Sequence, residues 1–173
     1  MEAAKRDPVA FEQLYRKYVA QIYSLSLYET RDPHAAEDIT EVVFLKALSG
    51  LHRFREQGEG TDSTFRVWLY AIARNVIANE RRRGWRHPED PLELALDLRA
   101  ADDPAATAEM HLEAERALEA VMALPADRRQ ALVLRFVNEL SAREIGQIMG
   151  KSEGAVRVLI HRALLAVRQR LDA

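Results

Sequence analysis

The sequence lacks several features that would assign it to a particular class of protein. It contains no cysteine among its 173 residues, which excludes disulfides, thiolate metal sites and cysteine nucleophiles. It has no run of about 18 apolar residues, and its first residues, MEAAKRDP, do not form a signal peptide. Its formal net charge is only −2, which argues against a protein that coats nucleic acid through charge alone. We therefore expect a cytoplasmic protein without membrane insertion.

The charges that are present are segregated along the chain. Residues 74–87 are arginine-rich, residues 89–109 are acidic, with prolines at positions 88, 91 and 104, and the chain is basic again from Arg128 onward. Two basic lobes separated by an acidic, proline-containing stretch indicate two domains and a linker. Apolar residues recur at helical spacing in both lobes, so we expect an all-α fold of two small helical domains joined by an extended acidic linker. The predicted boundaries are 1–84 for the first domain, 85–108 for the linker and 109–173 for the second domain.

The C-terminal lobe has the pattern of a helix-turn-helix. Ser141 and Glu144 form a capping box at the start of one helix, and Gly150 supplies a left-handed stop. Ser152 is placed to cap a second helix, which a helix-turn-helix inserts into the major groove of DNA. The apolar residues expected to bury one face of that second helix are Val156, Ile160, Ala163, Leu164, Val167 and Leu171.

Three helices are predicted in the N-terminal lobe. Pro8 suits the first turn of the first helix, and the pair Asp32 and Pro33 signals the start of the second, which Gly50 closes. A loop rich in Gly, Ser and Thr then precedes a third amphipathic helix that ends near Gly84. The residues predicted to face the core are Phe11, Leu14, Tyr15, Tyr18, Ile22, Leu25, Ile39, Val43, Phe44, Ala47, Leu48, Phe65, Trp68, Leu69, Ile72, Ala73, Val76 and Ile77.

The end of this third helix is a second candidate for contact with nucleic acid. Asn75 and Asn79 lie four residues apart on one face, just before the run Arg81–Arg83. Side-chain amides can hydrogen-bond to base edges, and arginines neutralise phosphates. Phe65 and Trp68, in contrast, have the spacing of ordinary core aromatics.

Three blocks of sequence together resemble a known family. AAEDITEVVFLKAL (35–48), FRVWLYAIARNVIANERRR (65–83) and LPADRRQALVLRFVNELSAREIGQIMGKSEGAVRVLIHRAL (124–164) are similar, in order and spacing, to the signature blocks of bacterial RNA polymerase sigma factors of the sigma-70 family. Because only a short linker separates the two lobes, the chain most resembles the extracytoplasmic-function (ECF) group.

The resemblance implies a non-catalytic factor that binds core RNA polymerase, recognises the −10 and −35 promoter elements and helps to open DNA. Its partners would be the clamp helices of the largest polymerase subunit, the flap of the second largest, promoter DNA and an anti-sigma protein. Contacts with core polymerase are implied for Asp38, Glu41, Phe44, Leu45 and Lys46. Contacts with the −10 element are implied for Thr61, Ser63, Asn75, Asn79, Arg81 and Arg82, and contacts with the −35 element for Ser152, Glu153, Arg157, Val158, His161 and Arg162.

Within the −35 set, Arg157 is the best candidate for a bidentate contact with guanine, and Val158 for contact with a thymine methyl group. The chain also departs from the family pattern. It has Glu41-Val42 where a glutamine-glutamate pair is usual, and Asn79-Glu80 where aspartate-histidine is frequent. The stretch Ala155–Leu159 replaces a common threonine-valine-lysine-serine-arginine. We therefore expect promoter specificity to differ from that of relatives.

Two other classes of protein remain open from the residues alone. A helix-turn-helix regulator that acts without replacing a sigma factor would share the C-terminal motif but would not need the block at 35–83. A helical enzyme is suggested only by His34, Glu37, Asp38 and Glu41, which share one helix face but have no matching ligands elsewhere. We expect no cofactor and no metal. The acidic linker either threads into polymerase channels or merely sets the reach between domains.

Overall fold

The computed structural model describes residues 8–54, 64–83 and 108–172, and within these ranges every regular element is helical. The chain divides into two compact units, Met1–His87 with Gln147–Gly150 and Pro88–Gly146 with Lys151–Ala173. The prediction of an all-α fold is confirmed. The predicted linker, 85–108, lies outside the described residues except for Ala108, which begins a helix, and its boundaries stay a prediction. No helix in the described part of the chain is both long and apolar enough to cross a membrane.

The helices follow one another in a simple order. The first unit contains the helices α1 Pro8–Thr30, α2 Pro33–Gly50 and α3 Thr64–Arg82, and a short 3₁₀ turn, Leu51–Arg53, follows α2. From residue 108 onward the chain forms α4 Ala108–Met122, α5 Ala126–Leu132, the π turn Val133–Val137 that extends α5, α6 Ala142–Met149 and α7 Glu153–Leu171.

The start of α2 is fixed by its predicted cap. The Asp32 carboxylate accepts hydrogen bonds from the backbone N–H groups of His34 and Ala35, at 2.9 and 3.3 Å, and Pro33 occupies the first turn. Only Arg31 and Asp32 separate α1 from α2, so the two helices form a tight hairpin. At the other end, α2 stops at Gly50 as predicted, although Gly50 keeps a right-handed helical φ of −88°.

In the first unit, α1 and α3 run in the same direction. Three cross-helix contacts advance together along both helices: Tyr18 with Phe65, Gln21 with Tyr70, and Glu29 with Arg81. Both helices also pack against α2. The C-terminal ends of α1 and α3 therefore lie at the same end of the bundle.

The core of the first unit follows the predicted helical stripes, with two exceptions. Ile22, Ala47 and Leu69 are completely buried. Tyr15 and Leu48, which were expected in the core, are 41% and 51% exposed. The prediction that they are buried was wrong, because they line an open groove between α1 and α2 that no third helix within residues 8–54, 64–83 and 108–172 covers.

In the second unit, α7 packs against α4 and α5 through a narrow stripe. Leu124, Leu132 and Ala163 form its buried cluster, with Ile160 and Val167 packed beside them. The prediction was wrong for Leu164 and Leu171 of α7, which are 46% and 38% exposed. Leu164 lies beside the stripe formed by residues 156, 160, 163 and 167, on a side that α4 and α5 leave open, and Leu171 lies in the last turn.

The end of α5 departs from regular helical geometry. The N–H of Asn138 donates to the carbonyl of Val133 at 3.1 Å, which is the i to i−5 bond of a π turn. Earlier in α5, the buried Arg129 donates from Nη1 to the carbonyl of Met122 at 3.2 Å. This hydrogen bond from an arginine of α5 to a carbonyl in the last turn of α4 joins the two helices.

Candidate nucleic-acid interface

The helix-turn-helix begins with the predicted capping box on α6. The Ser141 hydroxyl accepts from the Glu144 N–H at 3.2 Å, and the Glu144 carboxylate accepts from the Ser141 N–H at 2.8 Å. The same carboxylate oxygen also accepts from the Ser141 hydroxyl, at 2.9 Å. Glu144 is buried, so this reciprocal pair satisfies the helix start inside the protein.

The turn between α6 and α7 depends on two glycines. Gly150 has a φ of +66°, a conformation that side chains disfavour, and the N–H of Lys151 donates to the carbonyl of Gly146 at 2.9 Å. This is the backbone bond of a Schellman motif. A Cβ atom on Gly146 would lie 2.6 Å from the Lys151 carbonyl oxygen, so the tight crossing of the chain requires glycine there.

The turn is also attached to the rest of its unit. The Nζ atom of Lys151 lies 3.2 Å from a carboxylate oxygen of Asp127 in the first turn of α5. Ser152 then caps α7 as predicted, because its hydroxyl accepts from the N–H of Ala155 at 3.2 Å. The start of α7 is thus fixed by its cap, by the turn and by an ion pair.

All six predicted −35 residues lie on the surface of α7 or at its cap, and all are exposed. Glu153, Arg157 and His161 succeed one another at intervals of four residues, while Val158 and Arg162 form the adjacent row. Val156, on the opposite side of α7, is completely buried, so these residues face solvent. The predicted −35 residues therefore share one exposed face, made of Ser152, Glu153, Arg157, Val158, His161 and Arg162.

Arg157 is not free on this face, because its guanidinium forms an ion pair with Glu153 one turn earlier. Both side chains are exposed, at 72% and 43%, so the pair stabilises the helix only weakly. An incoming base or phosphate can replace the Glu153 carboxylate as the partner of Arg157.

The predicted −10 residues fall into two groups. Asn75 and Asn79 are exposed on α3, one turn apart, and Arg82 donates from Nη2 to the Asn79 side-chain oxygen at 2.8 Å. Asn79 and Arg82 thus form one polar patch near the C-terminal end of α3. Thr61 and Ser63 lie outside the described residues.

Arg81 differs from its neighbours because it contacts another helix. Its Nη1 atom lies 3.6 Å from Oε2 of Glu29 on α1, whose side chain is fully buried. The sequence contained a signal, which was missed, that Glu29 needs a partner, although it did not identify Arg81. Glu29 continues the apolar stripe of Tyr18, Ile22 and Leu25 at helical spacing, and a carboxylate in such a stripe calls for a partner.

The predicted polymerase-binding residues lie on α2, where four are exposed and one is not. The four that face solvent are Asp38, Glu41, Leu45 and Lys46. Phe44 is only 5% exposed, and its ring packs edge-on against that of Tyr15, with 4.8 Å between the ring centroids. Phe44 thus supports the surface from beneath. Sequence reasoning did not identify Val42 and Leu48 as exposed apolar residues of this helix, at 39% and 51%.

Leu45 occupies a special position on α2 because it lines the grooves on both sides of the helix. One groove, of about 590 Å³, lies between α1 and α2, and the other, of about 460 Å³, lies between α2 and α3. Leu45 is 57% exposed on the ridge between them. In the first groove, burial and then the nearby carboxylate of Glu37 raise the pKa of Tyr23 above its ordinary value.

Metal binding finds no support in the part of the chain that the structure describes. No three histidine, aspartate or glutamate side chains there approach one another closely enough to hold an ion. This includes the set His34, Glu37, Asp38 and Glu41 on α2.

Comparison with known proteins identifies both units. The model of Sigma-70 region 2 matches residues 14–87, and that of Sigma-70 region 4 matches residues 114–167. RNA polymerase sigma factor YlaC of Bacillus subtilis is 30% identical over 168 residues, which cover 96% of this chain and 93% of that protein. ECF RNA polymerase sigma factor BldN of Streptomyces coelicolor is 32% identical over 156 residues, which cover 90% of this chain but only 58% of that protein.

A solved structure has the same fold. It is that of the sigma factor RpoE in complex with the anti-sigma factor NepR from Bartonella quintana, with a TM-score of 0.68. The match covers 95% of this chain and 98% of that one, at 17% sequence identity. The helical architecture is therefore shared even where few residues are.

Proposed function

We propose that this chain, which belongs to the ECF group of the sigma-70 family, acts as a promoter-specificity subunit of RNA polymerase. It binds the core polymerase, recognises the −10 and −35 promoter elements and promotes opening of the DNA. The observation that carries this proposal is the presence of region 2 and region 4 on one chain, in that order, over residues 14–87 and 114–167.

The second unit reads the −35 element as duplex DNA through α7. Arg157 exchanges the carboxylate of Glu153 for the O6 and N7 atoms of a guanine, a bidentate contact that discriminates by about 1–3 kcal/mol. Val158, which is half exposed, meets the methyl group of a thymine. His161 and Arg162 bind along the same groove. Ser152 and the N–H groups at the helix start face a phosphate of the DNA backbone, which the positive end of the helix favours.

The first unit engages the −10 element through the end of α3. Opening requires bases to leave the stack, which costs a few kcal/mol per base. Asn75 and Asn79 offer amide groups to exposed base edges, while Arg81 and Arg82 neutralise the adjacent phosphates. Thr61 and Ser63, in the segment before α3, complete the proposed set.

Core polymerase binds at the surface of α2. Asp38, Glu41 and Lys46 supply charge there, and Leu45 supplies an apolar ridge between two grooves. Apolar residues at the centre of an interface, surrounded by charged residues at its rim, give both affinity and orientation. Phe44 contributes by holding this ridge in place from below. The second unit adds a contact with the flap of the second-largest polymerase subunit.

Control by an anti-sigma protein follows from the same family membership. The structurally similar RpoE was solved in complex with the anti-sigma factor NepR. We propose that a protein of this kind holds the present chain until transcription is needed. The chain acts without catalysis of its own, on polymerase in the cytoplasm.

The alternative, a helix-turn-helix regulator that leaves the resident sigma factor in place, accounts only for the second unit. It assigns no role to the region 2 match over residues 14–87 or to the exposed apolar ridge of α2.

The test is reconstitution with core polymerase. The purified chain is mixed with core enzyme lacking any other sigma factor, and run-off transcripts are sequenced from a fragmented genomic template. Initiation at a defined set of sites that share −10 and −35 elements supports the proposal. Binding to duplex DNA without association with core polymerase, or without transcripts, would establish the regulator instead.

A further inference from the structure

The pair of Glu29 and Arg81 joins the C-terminal ends of α1 and α3. Because these helices run in the same direction, both negative helix ends lie together, and a cation is favoured there. Glu29 adds a carboxylate whose side chain is fully buried. Arg81 supplies positive charge to this end of the bundle through its contact with Glu29.

The geometry leaves part of the Arg81 guanidinium available. Its Nη1 atom lies 3.6 Å from the Glu29 carboxylate, yet 39% of its side chain remains exposed to solvent. A guanidinium has five N–H donors in a planar fork, so one edge can face a carboxylate while another faces a phosphate. Arg81 can therefore bind both partners at once.

The other two arginines at this end have much looser anchors. Arg82 is held by Asn79 and by the carbonyl of Ala78, both on its own helix. Arg83 pairs with Glu80, and both of these side chains are exposed, at 76% and 37%. Exposed pairs within one helix restrict a long side chain very little. A buried partner on a second helix, such as Glu29, restricts it far more.

We propose that Glu29 is a positioning residue for promoter opening: its buried carboxylate holds the Arg81 guanidinium at the C-terminal end of α3, with its free edge toward a DNA phosphate. Pre-ordering Arg81 removes part of the side-chain entropy that would otherwise be lost when DNA binds. This assignment rests on the proposed function, because it concerns the −10 contact that region 2 would make.

Glu29→Gln tests the role of the charge, since glutamine keeps the shape of the side chain. In reconstituted holoenzyme, at equal occupancy of core polymerase, we expect open-complex formation to fall about tenfold. Permanganate reactivity of the −10 thymines measures it. We further expect the slope of log affinity against log salt concentration for promoter binding to fall in magnitude by about one, which corresponds to one phosphate contact, as it would for Arg81→Leu. In an Arg81→Leu background, Glu29→Gln should have no additional effect.

The double variant Glu29→Leu/Arg81→Leu separates positioning from simple neutralisation of a buried charge. Arg81→Leu alone leaves the buried carboxylate of Glu29 without its arginine and should lower the Tm. The double variant removes both charges, so we expect its Tm to lie close to that of the wild type. Opening should nevertheless stay as low as in Arg81→Leu, because no guanidinium is present. Recovery of both the Tm and opening would overturn the proposal, and so would normal opening by Glu29→Gln.

Glu80→Gln is the matched control. It removes the same charge from a pair on the surface of α3, with Arg83, and should leave opening unchanged. A tenfold loss of opening in this control would also contradict the proposal. If the wild-type chain itself fails to open any promoter with core polymerase, the proposed function fails. If the wild type opens DNA and Glu29→Gln opens it equally well, only the positioning role fails.

Discussion

The N–H of Lys151 donates to the carbonyl of Gly146 at 2.9 Å, and the Lys151 carbonyl oxygen lies only 2.6 Å from the position that a Cβ atom of residue 146 would take. The backbone of the turn therefore passes in direct contact with Gly146, in the middle of α6. Since the blocking atom is backbone, no side-chain rotation can relieve the conflict. Gly146 sets how closely the start of α7 approaches α6.

Gly146→Ala is expected to destabilise the second unit by about 1–3 kcal/mol, because the extra methyl group forces the turn apart. The Tm from thermal unfolding should fall, and −35 binding should weaken with it. Gly154→Ala is the matched control, since nothing lies within 4 Å of its added Cβ and alanine favours helix. Equal Tm values for the two variants would contradict the close approach of Lys151.

Arg157→Ala should reduce discrimination between −35 sequences by about 1–3 kcal/mol, because the bidentate contact with guanine that we propose for Arg157 would be lost. Affinity for core polymerase should stay unchanged. Promoter binding by holoenzyme is measured on the selected −35 element and on single-base variants of it. Arg168→Ala serves for comparison. Arg168 pairs with Asp172 near the end of α7, where an arginine can reach only the DNA backbone. Its loss should therefore weaken binding to every −35 sequence to a similar, small extent. A fall in core affinity with Arg157→Ala would refute the assignment.

Asn79→Ala should impair DNA opening by about tenfold, because the variant loses the amide that we propose contacts the −10 element. Permanganate reactivity of the −10 thymines reports this directly. The −35 contact is unaffected, so closed-complex binding should change much less than opening. Glu80→Ala, one residue further on, is the surface control. Unchanged opening in Asn79→Ala would remove Asn79 from the proposed site.

Leu45→Asp should weaken core polymerase binding by about tenfold or more, because it places a charge on the apolar ridge of α2. Leu45 is 57% exposed, so the Tm should hardly change. Val9→Asp is the matched control, since Val9 is 60% exposed at the start of α1. Competition for core polymerase with a labelled sigma factor measures the affinity.

Phe44→Ala should behave in the opposite way to Leu45→Asp. The ring is buried against Tyr15, so its removal should cost about 3–5 kcal/mol of folding free energy and lower the Tm. Core binding should fall only as far as the first unit unfolds or its α2 surface distorts. A large loss of core affinity at unchanged Tm would instead place Phe44 in the interface itself.

The sequence predicted best what is decided by neighbouring residues. The caps at Asp32, Ser141 and Ser152 are all confirmed, because each depends on hydrogen bonds within three residues. The left-handed Gly150 is confirmed for the same reason. Sequence blocks matched over residues 14–87 and 114–167 likewise identify the family.

What the sequence did not predict depends on which helix covers which face. Leu48 and Leu164 fit the apolar stripes of their helices, yet no neighbouring helix in the described part of the chain covers them, and they are about half exposed. The contact of Glu29 with Arg81 needs the parallel arrangement of α1 and α3, which no local pattern encodes. The roles of individual DNA-facing residues stay predictions, because exposure alone does not identify a base.

Because only a narrow stripe of α7 is buried, the residues of its outer face can be changed independently of the residues that pack against the rest of the unit. Val156 and Ala163 are its only fully buried residues in the described range, and the Ser152 cap and the Gly146 turn fix its start. A graft that retains these anchors together with Ile160 and Val167 can replace every outward-facing side chain without disturbing the core. Transplanting the outer face of a relative's helix onto this scaffold should therefore exchange promoter choice while the first unit and its polymerase contacts stay as they are.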